Sequence, residues 1–333
     1  MLAYVVDAKE GGVLRQNFPK PKREPGEALI RVLRAGICNT DLEILKGYMG
    51  FQGVLGHEFV GEIVETEQGA SLPVGQRVVG EINLACNDCP DCRAGGVVKR
   101  NHCRRRTVMG IVNRNGTFAE FLTLPVVNLL PLPDSVSNEE AAFVEPLAAA
   151  YRIVEQNVIK CPDAVVGVIG DGKLGLLISL VLRQQPHSRL VAFGRHADKM
   201  ALLPANVEKV LVDETTNDTF RDQFDVVVEA SGSPSGIMLA GDVARPLATI
   251  VLKTTCATGR DDSFNTAPFV VKELVIIGSR CGNFPMAVGS LERKEIDVSP
   301  LLTRTYPLAE APAAVKHAGQ KGVLKIQLLM DET

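Results

Sequence analysis

The chain contains no tryptophan, and aromatic residues make up only 5% of it. That scarcity argues against the stacking platforms on which proteins hold single-stranded nucleic acid. Neither sign of charge dominates: 36 Lys and Arg stand against 39 Asp and Glu, for a formal net charge of −3. Binding a phosphate backbone needs clustered cations, so no nucleic-acid partner is expected. Long hydrophobic runs are missing too. The longest, Leu174 to Leu182 with Gly175 and Ser179 included, is bounded by Lys173 and Arg183. A membrane helix needs about 20 apolar residues, so no membrane partner is expected. The opening MLAYVVDAKEGG has no basic segment followed by an apolar one, which makes the cytoplasm the expected compartment. What is present is 46% hydrophobic and 23% charged residues over 333 positions, the composition of about two globular domains. Eight cysteines are also present, and in a reducing compartment they read as metal ligands or redox centres before disulfides.

The first third is built of short β-branched runs punctuated by Gly and Pro. Ala28–Leu33, Phe59–Val64 and Gln76–Glu81 read as strands of a β-rich domain. Near residue 140 the texture changes. Residues 138–156 are Ala-rich with apolar positions at helical spacing, and Pro146 should end or kink a turn within them. Strands then alternate with helices: Ala164–Ile169, the helix Lys173–Gln184, and further strands at Leu190–Phe193, Lys209–Val212, Asp225–Ala230, Ala248–Leu252 and Leu274–Gly278. Unbroken apolar strands in βα alternation predict a doubly wound parallel sheet. The closing helix Leu308–Ala318 and strand Val323–Leu329 are assigned back to the first domain.

Gly170-Asp171-Gly172-Lys173-Leu174-Gly175 has the G-x-G-x-x-G form and sits between a strand and a helix, the context that makes it a dinucleotide fingerprint. Its glycines permit a tight turn, approach of a pyrophosphate and packing of helix on strand, and the helix amino terminus faces the phosphates. The next strand ends Phe193-Gly194-Arg195-His196, with no acid at its tip, and Asp198 falls in the following helix. An acid there bonds the ribose 2′-hydroxyl of NAD, whereas Arg195, helped by Lys199, suits a 2′-phosphate. NADP(H) is therefore favoured over NAD(H). Ser231, Lys253, Thr254 and Ser279 follow later strand ends, the side on which a ligand is expected.

Four cysteines lie within eighteen residues, as Cys86-x2-Cys89-x2-Cys92 and then Cys103. Four thiolates close a tetrahedral Zn²⁺ site with no open position, which makes it structural; the ten-residue closing gap differs from ferredoxin spacing. Cys161, Cys256 and Cys281 have no partners at ligand spacing. A second constellation holds Cys38 and His57, with Glu58 or Glu145 able to add an oxygen. Three such ligands and one open position describe a catalytic zinc.

These strings, in this order, resemble the zinc-containing alcohol dehydrogenase branch of the medium-chain dehydrogenase/reductase superfamily. The resemblance rests on Gly36-Ile37-Cys38-x-Thr40-Asp41, Gly56-His57-Glu58, the four-cysteine lobe, Glu145-Pro146-Leu147 and the glycine fingerprint. Glu145-Pro146-Leu147 is similar to the sorbitol and threonine dehydrogenase branch. The resemblance implies an α/β architecture: a GroES-like β-rich catalytic domain at 1–146 and 284–333, and a Rossmann domain, a doubly wound parallel sheet binding the nicotinamide dinucleotide, at 147–283. It implies Cys38, His57, Glu58 and Glu145 around the catalytic zinc, and Cys86, Cys89, Cys92 and Cys103 around the structural one. It implies Thr40 as the hydroxyl that takes the substrate proton and Asp41 as the acid orienting His57. Glu43 stands where a relay histidine is usual, and the cysteine lobe closes after ten residues where seven are usual. Homodimers or homotetramers joined through the Rossmann domain are implied as well.

The implied function is a hydride transfer between a small-molecule alcohol or polyol and NADP(H), or the reverse with the ketone or aldehyde. Two rivals stand beside it: a zinc-independent NADPH-dependent double-bond reductase, and a nonenzymatic NADP(H)-binding redox sensor. Neither needs Cys38, His57, Glu58 and Glu145 together. The substrate pocket is expected around Tyr48, Met49 and Phe51, and Arg104-Arg105-Arg106 reads as a solvated or internally paired patch.

Overall fold

A computed structural model describes residues 1–255 and 265–330, with residues 97–98 described by backbone alone. Cys256 lies outside the described residues. Strand Glu27–Gly36 (β1) leads into the short helix Asn39–Leu45 (α1). Strands Glu58–Glu65 (β2), Arg77–Gly80 (β3), Phe121–Pro125 (β4) and Leu129–Pro131 (β5) follow. Helix Val144–Glu155 (α2) opens the alternating part. It continues with Val165–Ile169 (β6), Lys173–Leu182 (α3), Arg189–Gly194 (β7), Ala197–Met200 (α4) and Glu208–Leu211 (β8). Then come Phe224–Glu229 (β9), Pro234–Val243 (α5), Ala244–Leu252 (β10) and Val275–Gly278 (β11). Leu302–Pro307 (β12), Ala311–Ala318 (α6) and Lys325–Leu329 (β13) close the chain.

The chain forms two compact units, Met1–Glu145 with Phe284–Thr333, and Pro146–Asn283. In the first, the main sheet runs β5-β3-β2-β1-β13-β12, with β4 also paired to β1. The ten residues of β1 make this possible. One edge pairs with β2, while the other takes β4 along its first half and β13 along its second. The carboxy-terminal strand is thus a central member of the sheet, and its inward residues Ile326 and Leu328 are fully buried.

The second unit is one parallel sheet in the order β8-β7-β6-β9-β10-β11. Strand order reverses between β6 and β9, the point where such sheets open a crevice for a dinucleotide. Buried Ile169, Val191, Phe193, Phe224 and Val227 pack with Leu239 and Val243 of α5. The rings of Phe193 and Phe224 meet edge to face at 5.5 Å. At the outer edge, Val275 and Ile276 of β11 remain about half exposed.

Two local expectations change. The Ala-rich stretch is two helices, residues 138–141 and α2, with Ala142 and Phe143 as a turn between them. The break therefore precedes Pro146, which sits in the first turn of α2, where a missing N–H has no helical acceptor to lose. Ser137 caps the first piece in a capping box with Glu140. The segment read as one helix from Leu308 begins as a 3-10 turn, Leu308–Glu310, before α6.

Candidate functional site

Register brings the mixed metal centre together. Gly36 pairs with Glu58 across β1 and β2, and with Gln327 across β1 and β13. Two residues beyond Gly36, Cys38 therefore faces the turn before His57 on one side and Lys325 on the other. Cys38, His57 and Glu58 place their ligand atoms within 4.8 Å of one another. Cys38 is also the N-cap of α1. The capping acid is Asp41, whose Oδ2 accepts the Cys38 N–H at 2.8 Å. Its Oδ1 accepts the Gly56 N–H at 3.3 Å and lies 3.3 Å from His57 Nδ1. One fully buried carboxylate thus holds the Cys38 backbone and stands beside His57 Nδ1, the side of the ring away from Nε2.

The electrostatics of this pocket call for a cation. Burial opposes a charge on His57, yet Asp41 and Cys38 together hold its pKa well above the usual value. The same three donor side chains, Cys38, His57 and Glu58, are the chemistry of a metal site. Lys325 is fully buried and ion-paired with Glu58. Burial opposes its charge also, but Glu58, Cys38 and Glu145 raise its pKa. Glu145 makes no side-chain hydrogen bond among the described residues. Burial first, with Glu58 and Glu81 adding to it, pushes its carboxyl up to about 7 against the pull of His57 and Lys325.

Thr40 lies beside the cluster, its Oγ1 3.7 Å from Cys38 Sγ. Glu43 does not join it. That side chain is on the exposed face of α1, paired with Lys46 at 2.8 Å, because the buried face of this helix carries Asp41 and Ile44. Tyr48 and Met49 are exposed and Phe51 is buried.

The four-cysteine cluster is of another kind. Four of its sulfur pairs are separated by 3.4 Å (Cys86–Cys103), 3.5 Å (Cys89–Cys92), 3.6 Å (Cys89–Cys103) and 3.9 Å (Cys86–Cys92). A tetrahedral zinc with bonds of about 2.3 Å sets sulfurs about 3.8 Å apart. The Asp88 N–H, with Cys103 and Cys89, draws the Cys86 thiol down to about 6, while burial and then Cys89 and Cys103 push the Cys92 thiol up to about 12. Arg104 pairs with Asp91, Arg105 with Asp88, and Arg106 donates to the Cys103 carbonyl, so all three arginines are engaged within the lobe.

In the second unit the glycine run forms a cradle. Gly170 has φ +122°, and a Cβ there would lie 2.7 Å from the Ala230 carbonyl; a Cβ on Gly175 would overlap the Gly170 carbonyl. Gly172 faces open space at the start of α3, the room a pyrophosphate requires. Lys173 and Leu174 begin the helix proper, half-buried. Arg195 is exposed and donates to Ser235 Oγ at 3.1 Å; Lys199 is half-buried in α4. At the carboxyl ends of β9, β10 and β11, Glu229 accepts from Ser231 and from Thr254 Oγ1 (3.1 Å), and Lys253 Nζ donates to Ser279 Oγ (3.1 Å). Lys325, Ser235 and the central place of Glu229 escaped the sequence reading. A single charge inside the apolar strand Val323–Leu329 was the signal for Lys325.

The chain is similar to known proteins. The alcohol dehydrogenase GroES-like domain family matches residues 24–134. An L-threonine 3-dehydrogenase of Coxiella burnetii is 31% identical over 322 residues, covering 90% of each chain. Alcohol dehydrogenase TADH from Thermus sp. ATN1 superposes with a TM-score of 0.86 at 28% identity, covering 99% of this chain and 100% of that one. A zinc-binding dehydrogenase from Sinorhizobium meliloti 1021, bound to NADP, superposes with a TM-score of 0.88 at 25% identity over 98% of both chains. No helix among the described residues is long and apolar enough to cross a membrane. With a GroES-like unit that gathers Cys38, His57 and Glu58, and a parallel sheet that bears the glycine cradle, the chain belongs to the zinc-containing alcohol dehydrogenases of the medium-chain dehydrogenase/reductase superfamily and is an enzyme of that type.

Proposed function

We propose that the protein moves a hydride between NADP(H) and a secondary alcohol or polyol, or the matching ketone or aldehyde. The observation that carries this reading is the convergence of Cys38, His57 and Glu58 within 4.8 Å beside the buried Lys325. A double-bond reductase or a redox sensor has no use for that donor set. The relative named L-threonine 3-dehydrogenase supports a substrate whose reacting carbon bears a secondary hydroxyl.

Zinc, when bound, supplies Lewis-acid polarisation of the substrate oxygen, and the nicotinamide accepts or gives the hydride. Cys38 and His57 would hold the metal, with Glu58, whose ligand atom lies within 4.8 Å of theirs, or Glu145 as the third donor. Asp41 orients His57. Thr40 Oγ1 takes the proton that an alcohol gives up and passes it outward. The Cys86, Cys89, Cys92 and Cys103 lobe holds the structural zinc.

Backbone N–H groups at the start of α3 face the pyrophosphate, with Lys173 beside them. Arg195, with Lys199 nearby, binds the 2′-phosphate. Ser231, Thr254, Lys253 and Ser279 line the nicotinamide half of the crevice, since the two mononucleotide halves lie on either side of the strand-order reversal. The exposed apolar edge of β11 supports pairing of subunits through this sheet. The seven described cysteines are all free thiols, in keeping with a reducing cytoplasm.

A panel of alcohols, polyols and L-threonine, followed by nicotinamide absorbance with NADP⁺ and NAD⁺, tests the reading. The expected result is turnover with a secondary alcohol, faster with NADP⁺, and lost on chelation. Turnover that survives both chelation and Cys38→Ser contradicts it.

A further inference from the structure

The tip of β7 carries no acid of its own, yet a carboxylate stands there. Asp171, the second residue of the glycine run, reaches across from the β6–α3 loop. Its Oδ2 accepts the Arg195 N–H at 2.6 Å and the His196 N–H at 2.7 Å, and lies 2.9 Å from His196 Nδ1. Burial works against its charge, but these donors hold its pKa below the usual carboxylate range. Its residue is only 9% exposed. Gly194, the last residue of β7, makes room for it. A Cβ at 194 would come within 2.8 Å of the Asp171 Cβ and 2.9 Å of its Oδ2. A side chain at the strand tip would therefore crowd Asp171, and Met200 Sδ at 2.5 Å as well, and this chain has the loop acid. Oδ1 takes no hydrogen bond among the described residues.

Arg195 turns the other way. Its backbone N–H is bound to Asp171, while its guanidinium reaches Ser235 and stays exposed. The same turn thus presents an anion held against the backbone and a cation held toward solvent. The ribose 2′ position of a dinucleotide bound at the glycine run lies at the tip of the second strand. A 2′-hydroxyl donates to a carboxylate; a 2′-phosphate is repelled by it and drawn to a guanidinium.

We propose that Asp171 is a specificity-determining residue of the cofactor site: it stands in for the absent tip acid, accepts the ribose 2′-hydroxyl of NAD(H), and opposes the 2′-phosphate that Arg195 attracts. The inference rests on the dinucleotide reading above. Arg195 sets the preference for NADP(H), and Asp171 narrows it.

The test is equilibrium binding, by titration calorimetry, of NADPH and NADH to the full-length wild-type enzyme and to Asp171→Asn. Asparagine keeps an acceptor oxygen for the two backbone N–H groups and removes the charge. Asp171→Ser, which also retains an acceptor, is measured beside it, and thermal unfolding shows that each variant is folded. The expected result is an NADPH-to-NADH affinity ratio raised about tenfold in both variants, with NADH weakened. An unchanged ratio, with both cofactors weakened together or neither affected, overturns the proposal and leaves Asp171 a structural residue. The wild-type ratio is read separately. Tighter wild-type binding of NADH contradicts the NADP(H) preference without touching the Asp171 shift, and binding of neither cofactor overturns both.

Discussion

The two metal clusters of the first unit solve different problems with overlapping chemistry. The four-cysteine lobe gathers one kind of ligand from one stretch of chain, with sulfurs 3.4–3.9 Å apart. The mixed cluster takes a thiol, an imidazole and a carboxylate from the ends of two strands, and sets a third strand's lysine behind them. The lobe offers four ligands of one kind, supported by backbone N–H groups such as those of Asp88 and Cys86. The mixed cluster needs Asp41 to fix the imidazole and Lys325 to balance the carboxylate. A closed site stabilises a loop, whereas an open site must keep a coordination position for substrate, and the surrounding residues do the orienting that a fourth ligand would do.

If that contrast is right, substitutions in the two clusters separate activity from stability. The largest effect is expected for His57→Ala, a fall in kcat of about a thousandfold with melting temperature little changed; a variant that keeps activity would erase the distinction. Next comes Lys325→Met, which leaves the fully buried Glu58 without its partner. A broken buried pair costs about 3–5 kcal/mol, read as a lower urea midpoint at unchanged slope. Adding Glu58→Gln to it should recover most of the loss. Cys103→Ser is expected to behave in the opposite sense to His57→Ala. Losing the lobe's metal lowers the melting temperature by roughly ten degrees, while activity per folded molecule persists below the transition. Smallest is Asp41→Asn, with catalytic-metal affinity weakened about 10–100-fold in a chelator competition and the lobe's affinity unaltered. Equal weakening of both metals would show that Asp41 supports the fold generally.

The same contrast explains what was legible in the sequence. The lobe declares itself because its ligands are near neighbours, and Cys-x2-Cys-x2-Cys needs no knowledge of the fold. The parallel sheet is legible for a similar reason, since runs such as Val165–Ile169 and Phe224–Glu229 are apolar on both faces. The mixed cluster's ligands are each a weak signal, because Cys38 and Glu145 lie far apart in the chain, and the family resemblance is what joins them firmly. Lys325 stayed hidden because its place depends on the register of β13 against β1, a pairing between the two ends of the first unit's chain. Asp171 was visible as part of the glycine run, but the direction of its carboxylate is set by loop geometry and by the missing side chain at Gly194. Glu43 shows the converse case. A position in a motif suggested a relay, while the buried face of α1, marked by Asp41 and Ile44, turns that side chain to solvent.

The most direct test of the two-cluster account is the zinc-to-chain ratio of wild type and Cys38→Ser, measured by elemental analysis on folded, desalted protein. The account predicts two zinc ions per chain in the wild type and one in the variant, the survivor being held by the cysteine lobe. Two ions retained in Cys38→Ser, or one in the wild type, would contradict it.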